Sequence, residues 1–349
     1  MSLLDSKTYL RDVESTAEGV QGLEKLCGAT VLVTGATGLI GSFLTDVLLT
    51  ANREAGLNIH VLAAGRSPER IRARFPGKDV VPVRYDLLEP VGIGQAADYV
   101  IHAASPADPA AFGERPAEIL AGCVTGTHAL LRYAKRCGAK RFLFISSGEV
   151  YGRMPDDAVA FREEDVGYVD PMSPRSAYPN GKRAGETLCA AYSAEYGLDT
   201  VVARPCHTFG ATMTERDSRA ASQFLREAAA GRPVVLNSAG LQERSWCCAT
   251  DCTSALLTIL TEGKCAEAYN VADDASHATI AELAARIAAA AGVPLERRMT
   301  GPPAELPASP VPRQVLSGEK LKALGWRARF TLEEGIARTL SALREGRAD

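Results

Sequence analysis

A doubly wound parallel α/β fold is predicted by three features of this 349-residue sequence. Short apolar runs recur with room for a helix between them. A glycine-rich turn joins the first run to the first helical stretch. The runs are apolar at consecutive positions, as in strands covered on both faces.

Taken in order, residues 1–28 read as an N-terminal extension with an amphipathic helix, ending before Ala29. Val31-Leu32-Val33 is the first strand, and Leu39 to Leu49 carries apolar residues at helical spacing. Ile59 to Ala63, Val80 to Val83, Tyr99 to Ile101 and Phe142 to Ile145 are further strands, with a helix over Val124 to Tyr133. A helix over Arg183 to Tyr196 leads into a strand at Thr200 to Ala203. Beyond Pro205 the alternation is irregular. Helical stretches over Ala220–Ala230, Cys252–Leu260 and Ile280–Ala291 precede a proline-rich connection, Pro302 to Pro312, and a final helical pair near Leu321 and over Leu332–Leu343. The expected organisation is a dinucleotide-binding unit over 29–205 and, over 206–349, mainly a smaller α/β substrate lobe with some segments returning to the sheet. Such a lobe would cover the carboxyl ends of the strands, where ligands bind in open α/β sheets.

Composition narrows the class. Hydrophobic residues make up 46% and charged residues 23%, the balance of a soluble globular protein. A net charge of −3 gives no reason to expect nucleic acid or an anionic membrane as partner. No apolar run reaches the ~20 residues a spanning helix needs. The start, Met1-Ser2-Leu3-Leu4-Asp5, lacks a basic region followed by an apolar core, so a cytoplasmic location is expected. The nine cysteines have no repeated spacing, and Cys247-Cys248 with Cys252 lacks the second ligand pair of a zinc site. Reduced thiols and no metal are expected.

Thr34-Gly35-Ala36-Thr37-Gly38-Leu39-Ile40-Gly41 has the spacing G-x-x-G-x-x-G between strand and helix. Gly35 permits the tight turn, Gly38 lets backbone approach a pyrophosphate, and Gly41 lets helix and strand pack closely. Thr37, Leu39 and Ile40 then lie at the helix N-terminus, which favours negative charge. The placement makes this a Rossmann-type dinucleotide site. The ribose-binding acid expected about 20 residues on is absent; the second strand instead ends Ala64-Gly65-Arg66-Ser67. Arg66 suits a 2′-phosphate, which favours NADP+ over NAD+. Asp86 and Leu87 follow the third strand, towards the adenine, and Ala103-Ala104 follow the fourth and flank the cofactor.

Tyr178-Pro179-Asn180-Gly181-Lys182 places a tyrosine and a lysine one helical turn apart on one face. A nearby ammonium stabilises a phenolate and lowers the tyrosine from its usual ~10. Such a tyrosine takes a hydroxyl proton as hydride leaves the same carbon. After the fifth strand comes a polar turn, Ser146-Ser147-Gly148-Glu149-Val150-Tyr151-Gly152.

With these motifs in this order, the chain resembles the extended short-chain dehydrogenase/reductase superfamily, in its NAD-dependent epimerase/dehydratase group, from about residue 30 to 343. The resemblance implies that Ser147 hydrogen-bonds the sugar hydroxyl, Tyr178 is the base, Lys182 holds the tyrosine and the nicotinamide ribose, and Glu149 is an acid/base. It also implies a nucleotide-sugar substrate, a homodimer and a cofactor that is mostly NAD+ in the family. Pro174 to Tyr178, Gly181-Lys182-Arg183, Ala203 to Gly210 and Arg244-Ser245-Trp246 are similar to UDP-glucuronate decarboxylase sequences. By that similarity Arg244 contacts the nucleotide diphosphate, with Arg219 a further candidate and Arg175 and His207 at the substrate; a guanidinium fork suits a diphosphate.

The departures bear on the reaction. Gly148 stands where the 4,6-dehydratases carry an acid that protonates the departing hydroxyl. His207 and Cys123 each replace a usual asparagine. The expected reaction is oxidation at C4 followed by decarboxylation of a uronic acid. C4 epimerisation, 4,6-dehydration and 4-keto-sugar reduction are the alternatives within the fold. A non-catalytic NAD(P)-binding regulatory protein is the alternative outside this chemistry, and the Ser147, Tyr178, Lys182 set argues against it.

Overall fold

Apolar residues at successive strand positions send alternate side chains to two opposite faces, and each face meets its own layer of helices. The computed structural model describes residues 3–77, 79–105, 109–155, 158–298 and 311–346; most of the proline-rich connection, Pro302 to Pro312, lies outside them. The strands are β1 (Thr30–Thr34), β2 (His60–Gly65), β3 (Val80–Arg84), β4 (Tyr99–His102), β5 (Arg141–Ile145), β6 (Thr200–Pro205), β7 (His207–Phe209), β8 (Val234–Leu236), β9 (Glu243–Cys248), β10 (Glu267–Val271), β11 (His277–Thr279), β12 (Leu295–Arg297) and β13 (Arg313–Gln314). Seven of them form one sheet in the order β10-β6-β5-β4-β1-β2-β3, every neighbouring pair parallel. The order reverses between β1 and β4. That switch point opens a crevice at the carboxyl ends of the strands.

The helices are α1 (Lys7–Gly19), α2 (Leu39–Ala55), α3 (Pro68–Arg74), α4 (Pro109–Glu114), α5 (Pro116–Ala121), α6 (Thr127–Cys137), α7 (Ala177–Tyr196), α8 (Ala220–Ala229), α9 (Ala249–Glu262), α10 (Ile280–Ala291), α11 (Glu319–Ala323) and α12 (Leu332–Glu345). Val31, Val33, Ile101, Leu143 and Val201 belong to the layer formed with α2 and α9. Leu32, Val100, Phe142, Phe144 and Val202 belong to the other, with Leu130, Leu131 and Ala134 of α6 and Cys189 and Tyr192 of α7. α9 and β10 follow residue 205, so later segments complete the sheet and cover one of its faces. β9 is the hub of a second, smaller sheet, pairing with β7, β11 and β13.

Residues 7–19 pack onto the body as α1, where the buried Tyr9 meets Phe43 of α2 edge-on. The Tyr9 hydroxyl donates to Asp46, which Arg74 also pairs. Glu345 of α12 accepts from Ser6 and from the hydroxyl and amide of Thr8, closing the start of α1. All nine cysteines are free thiols; Cys206, Cys247, Cys248 and Cys252 are buried. No helix among the described residues is long and apolar enough to cross a membrane.

The helix expected from Val124 is entered through a π-turn, Gly122–Gly126, before α6 begins at Thr127. The helix expected from Arg183 starts at Ala177. It therefore contains Tyr178 and Lys182, and the Pro179 ring falls within the first turn, where proline is tolerated.

Candidate active site

The glycine turn leaves β1 at the crevice. Gly35 has φ +69°, and a Cβ built on it would come within 2.9 Å of the Ala104 backbone. A Cβ on Gly41 would come within 2.2 Å of the Gly35 carbonyl oxygen, and one on Gly38 within 3.3 Å. Backbone packing thus dictates glycine at 35 and 41, and the N-terminus of α2 faces the crevice with no side-chain cap. The Thr34 hydroxyl accepts from the Ala104 amide at 3.1 Å and pairs with His102 at 2.9 Å. His102 also meets the Thr127 hydroxyl at 3.2 Å, so the ends of β1 and β4 are clasped to α6. Burial, with Lys182 nearby, pushes His102 down to about 3, so it is neutral at pH 7. Arg66 is exposed just past β2. Asp86, past β3, accepts from the Leu88 amide at 3.0 Å, and the half-buried Leu87 packs against Gly126.

β5 delivers the polar turn to the same edge. The Ser147 hydroxyl accepts from the Glu149 amide at 3.1 Å and caps a single 3₁₀ turn, Gly148–Tyr151. On α7, Tyr178 is 6% exposed and Lys182 3%. The Lys182 ammonium donates to the Ile145 carbonyl at 2.7 Å, locking α7 to the end of β5, and stands 5.8 Å from the Tyr178 ring centre. The π-turn presses Cys123 against this face: a Cβ on Gly181 would lie 2.7 Å from that of Cys123.

The electrostatics depart from the sequence-based expectation. Tyr178 is raised above the usual phenol value, first by burial, then by Glu149 and Cys123, while a Ser147 hydrogen bond and Arg219 oppose the rise. Lys182 is itself lowered by burial. Desolvation outweighs the attraction between the phenolate and the Arg219 guanidinium.

One residue and one ion pair that the local pattern does not reveal complete the site. Phe112 of α4, 3% exposed, stacks on Tyr178 with ring centres 4.6 Å apart. The Arg175 guanidinium covers the Phe112 ring at 4.6 Å and donates two hydrogen bonds, each 2.9 Å, to the Glu149 carboxylate. Beneath the site runs a strut. Arg204 of β6 pairs Glu186 of α7 through a terminal nitrogen and Nε at 2.7 and 3.0 Å, and Glu186 accepts from Ser146 at 2.5 Å. Arg204 also donates to the Tyr151 hydroxyl at 2.8 Å, which donates to Asn270 of β10 at 2.6 Å. The strut ties the Ser146–Tyr151 turn to β6, β10 and α7.

Of the residues expected at the substrate, His207 is the meeting point. Burial pushes it down to about 3, helped in order by the charges of Arg244, Arg219 and Arg175, so the imidazole is neutral at pH 7. Arg219 is held by Asp217 at 2.9 Å, and Arg244, 3% exposed, donates to the carbonyls of Glu243, Val311 and Pro312. Burial lowers Arg244 to about 10, which leaves it charged at pH 7. Gly148 is buried beside Leu316: a Cβ there would lie 3.1 Å from Leu316 Cδ1.

The model of the NAD dependent epimerase/dehydratase family matches residues 31–272. Among curated relatives, UDP-glucuronic acid decarboxylase 1 of Danio rerio is 32% identical over 311 residues, 89% of this chain and 71% of that protein. Among solved structures, the UDP-glucose 4-epimerase of Thermus thermophilus, in complex with NAD, superposes with a TM-score of 0.75 at 27% identity, over 90% of this chain and 99% of that one. The RMD protein of Pseudomonas aeruginosa, complexed with NADPH, gives 0.71 at 29% identity, over 90% and 99%. The glycine cradle, the Tyr178–Lys182 pair and the Ser147 turn thus stand in a chain that belongs to the NAD dependent epimerase/dehydratase family.

Proposed function

We propose that this protein oxidises the hexose of a nucleotide sugar at C4 with a bound nicotinamide cofactor and decarboxylates a nucleotide-activated uronic acid, UDP-glucuronate being the substrate of this reading. One observation carries it: the half-buried Ser147 and the buried Tyr178 and Lys182 stand at the edge where the charges of Arg175, Arg219 and Arg244 all reach His207, the chemistry of an oxidation site beside a polyanion site. The likeness to UDP-glucuronic acid decarboxylases supports the choice of sugar.

What supports a dinucleotide is the cradle itself. Gly35 and Gly41 let the turn close tightly against Ala104 and against its own backbone, and the α2 N-terminus offers uncapped amides to a pyrophosphate. In this reading Gly35 to Gly41 hold the diphosphate, Ala103 and Ala104 flank the cofactor, Asp86 and Leu87 lie towards the adenine, and Arg66 takes a 2′-phosphate. When bound, the nicotinamide supplies the hydride acceptor. Tyr178 takes the C4 hydroxyl proton while Ser147 donates to the same oxygen. The ketone formed at C4 is β to the C5 carboxylate, so carbon dioxide leaves and its bonding electron pair passes into an enolate. Ser147 and Tyr178 are preorganised donors to the enolate oxygen. Glu149 places the proton source for C5. Residues 29–205 carry the cofactor and 206–349 mainly the nucleotide sugar. A homodimer is the assembly the family resemblance implies.

Hydroxide departure is disfavoured by Gly148, because no acid stands there, and a side chain at this position would press on Leu316. Offering UDP-glucuronate, UDP-glucose and dTDP-glucose in turn tests the reading. Loss of carbon dioxide from the first, with dTDP-glucose unchanged, supports it; dehydration of dTDP-glucose contradicts it. For the cofactor, NADP+ is expected to bind more tightly than NAD+, and Arg66→Ala to narrow the gap. Titration of stripped protein with both decides this, tighter NAD+ binding being the contrary result.

A further inference from the structure

We infer that Arg175 is the carboxylate-reading residue of the substrate site and that Glu149 is its internal placeholder, exchanged for the sugar carboxylate on binding. The inference rests on the uronic acid reading above.

The resting pair has the geometry of a carboxylate receptor. Arg175 grips Glu149 through both terminal nitrogens at 2.9 Å, with the two side chains only 14% and 20% exposed. Its Nε is buried and has no hydrogen-bond partner among the described residues. Arginine binds carboxylates equally well through its end or through the edge that includes Nε, so an incoming carboxylate finds a desolvated donor waiting. The guanidinium plane is fixed against Phe112, which also stacks on Tyr178, so a carboxylate held by Arg175 lies beside the oxidation site.

Charge favours exchange. The charges of Arg175, Arg219 and Arg244 all reach the neutral His207, while Glu149 pairs Arg175 and Asp217 pairs Arg219. Two carboxylates on the same guanidinium repel, so Arg175 holds one of them at a time. Arrival of the substrate displaces Glu149 and frees it to act at C5. A hexose with a hydroxymethyl group in place of the carboxylate leaves the pair closed. The exchange makes Arg175 a specificity-determining residue and couples recognition of the uronate to release of the acid.

Binding to protein saturated with reduced cofactor tests this, because hydride cannot then leave the sugar and affinity is read without turnover. UDP-glucuronate, UDP-glucose and UDP are titrated by calorimetry. The unmodified protein is expected to prefer UDP-glucuronate to UDP-glucose by roughly ten- to a hundredfold, the range of a charge-assisted pair. Arg175→Gln should bring that ratio close to one, and Arg175→Lys should restore only part of it. Glu149→Gln should bind UDP-glucuronate several-fold more tightly, with UDP unaffected, since the competing carboxylate is gone. A preference that survives Arg175→Gln, or a Glu149→Gln protein that binds UDP-glucuronate no better, overturns the exchange while leaving the function standing. Binding of UDP without UDP-glucuronate by the unmodified protein overturns the function and the exchange with it.

Discussion

A Tyr178→Phe protein is expected to fold, to hold its cofactor and to lose turnover by roughly 10²–10⁴-fold, the usual worth of a positioned general base. The ring remains, so the stack on Phe112 persists and only the hydroxyl is lost. The pH dependence gives the result a signature. Burial and the Glu149 carboxylate hold the phenol above its usual value, so the basic form becomes scarcer as pH falls. The kcat/KM of the unmodified protein should therefore decline from alkaline towards neutral pH, and the residual rate of Tyr178→Phe should not follow that limb. Near-normal turnover in the variant would remove Tyr178 from the mechanism.

The second large effect is on stability. Arg204→Met is expected to cost roughly 3–5 kcal/mol, because Glu186 would keep a buried charge without its partner. The pair is 12% and 15% exposed, and Ser146 and Tyr151 depend on it. Urea unfolding monitored by circular dichroism measures the loss. Combining Arg204→Met with Glu186→Leu should recover much of it, since removing both charges is far less costly than orphaning one. Turnover should stay depressed in the double variant, because the Ser147 turn has lost its support. A single variant as stable as the parent would show that the strut is incidental to the fold.

These two residues differ in how far the sequence discloses them. Tyr178 and Lys182 are legible because their partnership is local, four residues apart on one helix. The glycine turn is legible for the same reason, its sterics being written within Gly35 to Gly41 and its neighbour Ala104 supplied by the adjacent strand. Strand positions follow from runs such as Val31 to Val33, which no single-faced strand would carry. The strut is hidden because Tyr151 and Asn270 are brought together only by the pairing of β10 with β6. Phe112 is hidden likewise: nothing in Pro109 to Glu114 says that this short helix lies over Tyr178. Glu149 and Arg175 are each visible as candidates, yet their ion pair joins a turn after β5 to the approach of α7. The direction of the Tyr178 shift is misread from sequence because spacing reveals the ammonium and not the depth of burial. In each case the missing quantity is tertiary, an environment assembled from distant segments.

The most direct test of the central claim is to follow UDP-glucuronate labelled with carbon-13 in its carboxylate, incubated with the protein and cofactor in deuterium oxide, by NMR. The label is predicted to leave the sugar as carbon dioxide and bicarbonate, and solvent deuterium to appear at C5 of the product. Retention of the label in a nucleotide sugar inverted at C4 would contradict decarboxylation and make the protein an epimerase.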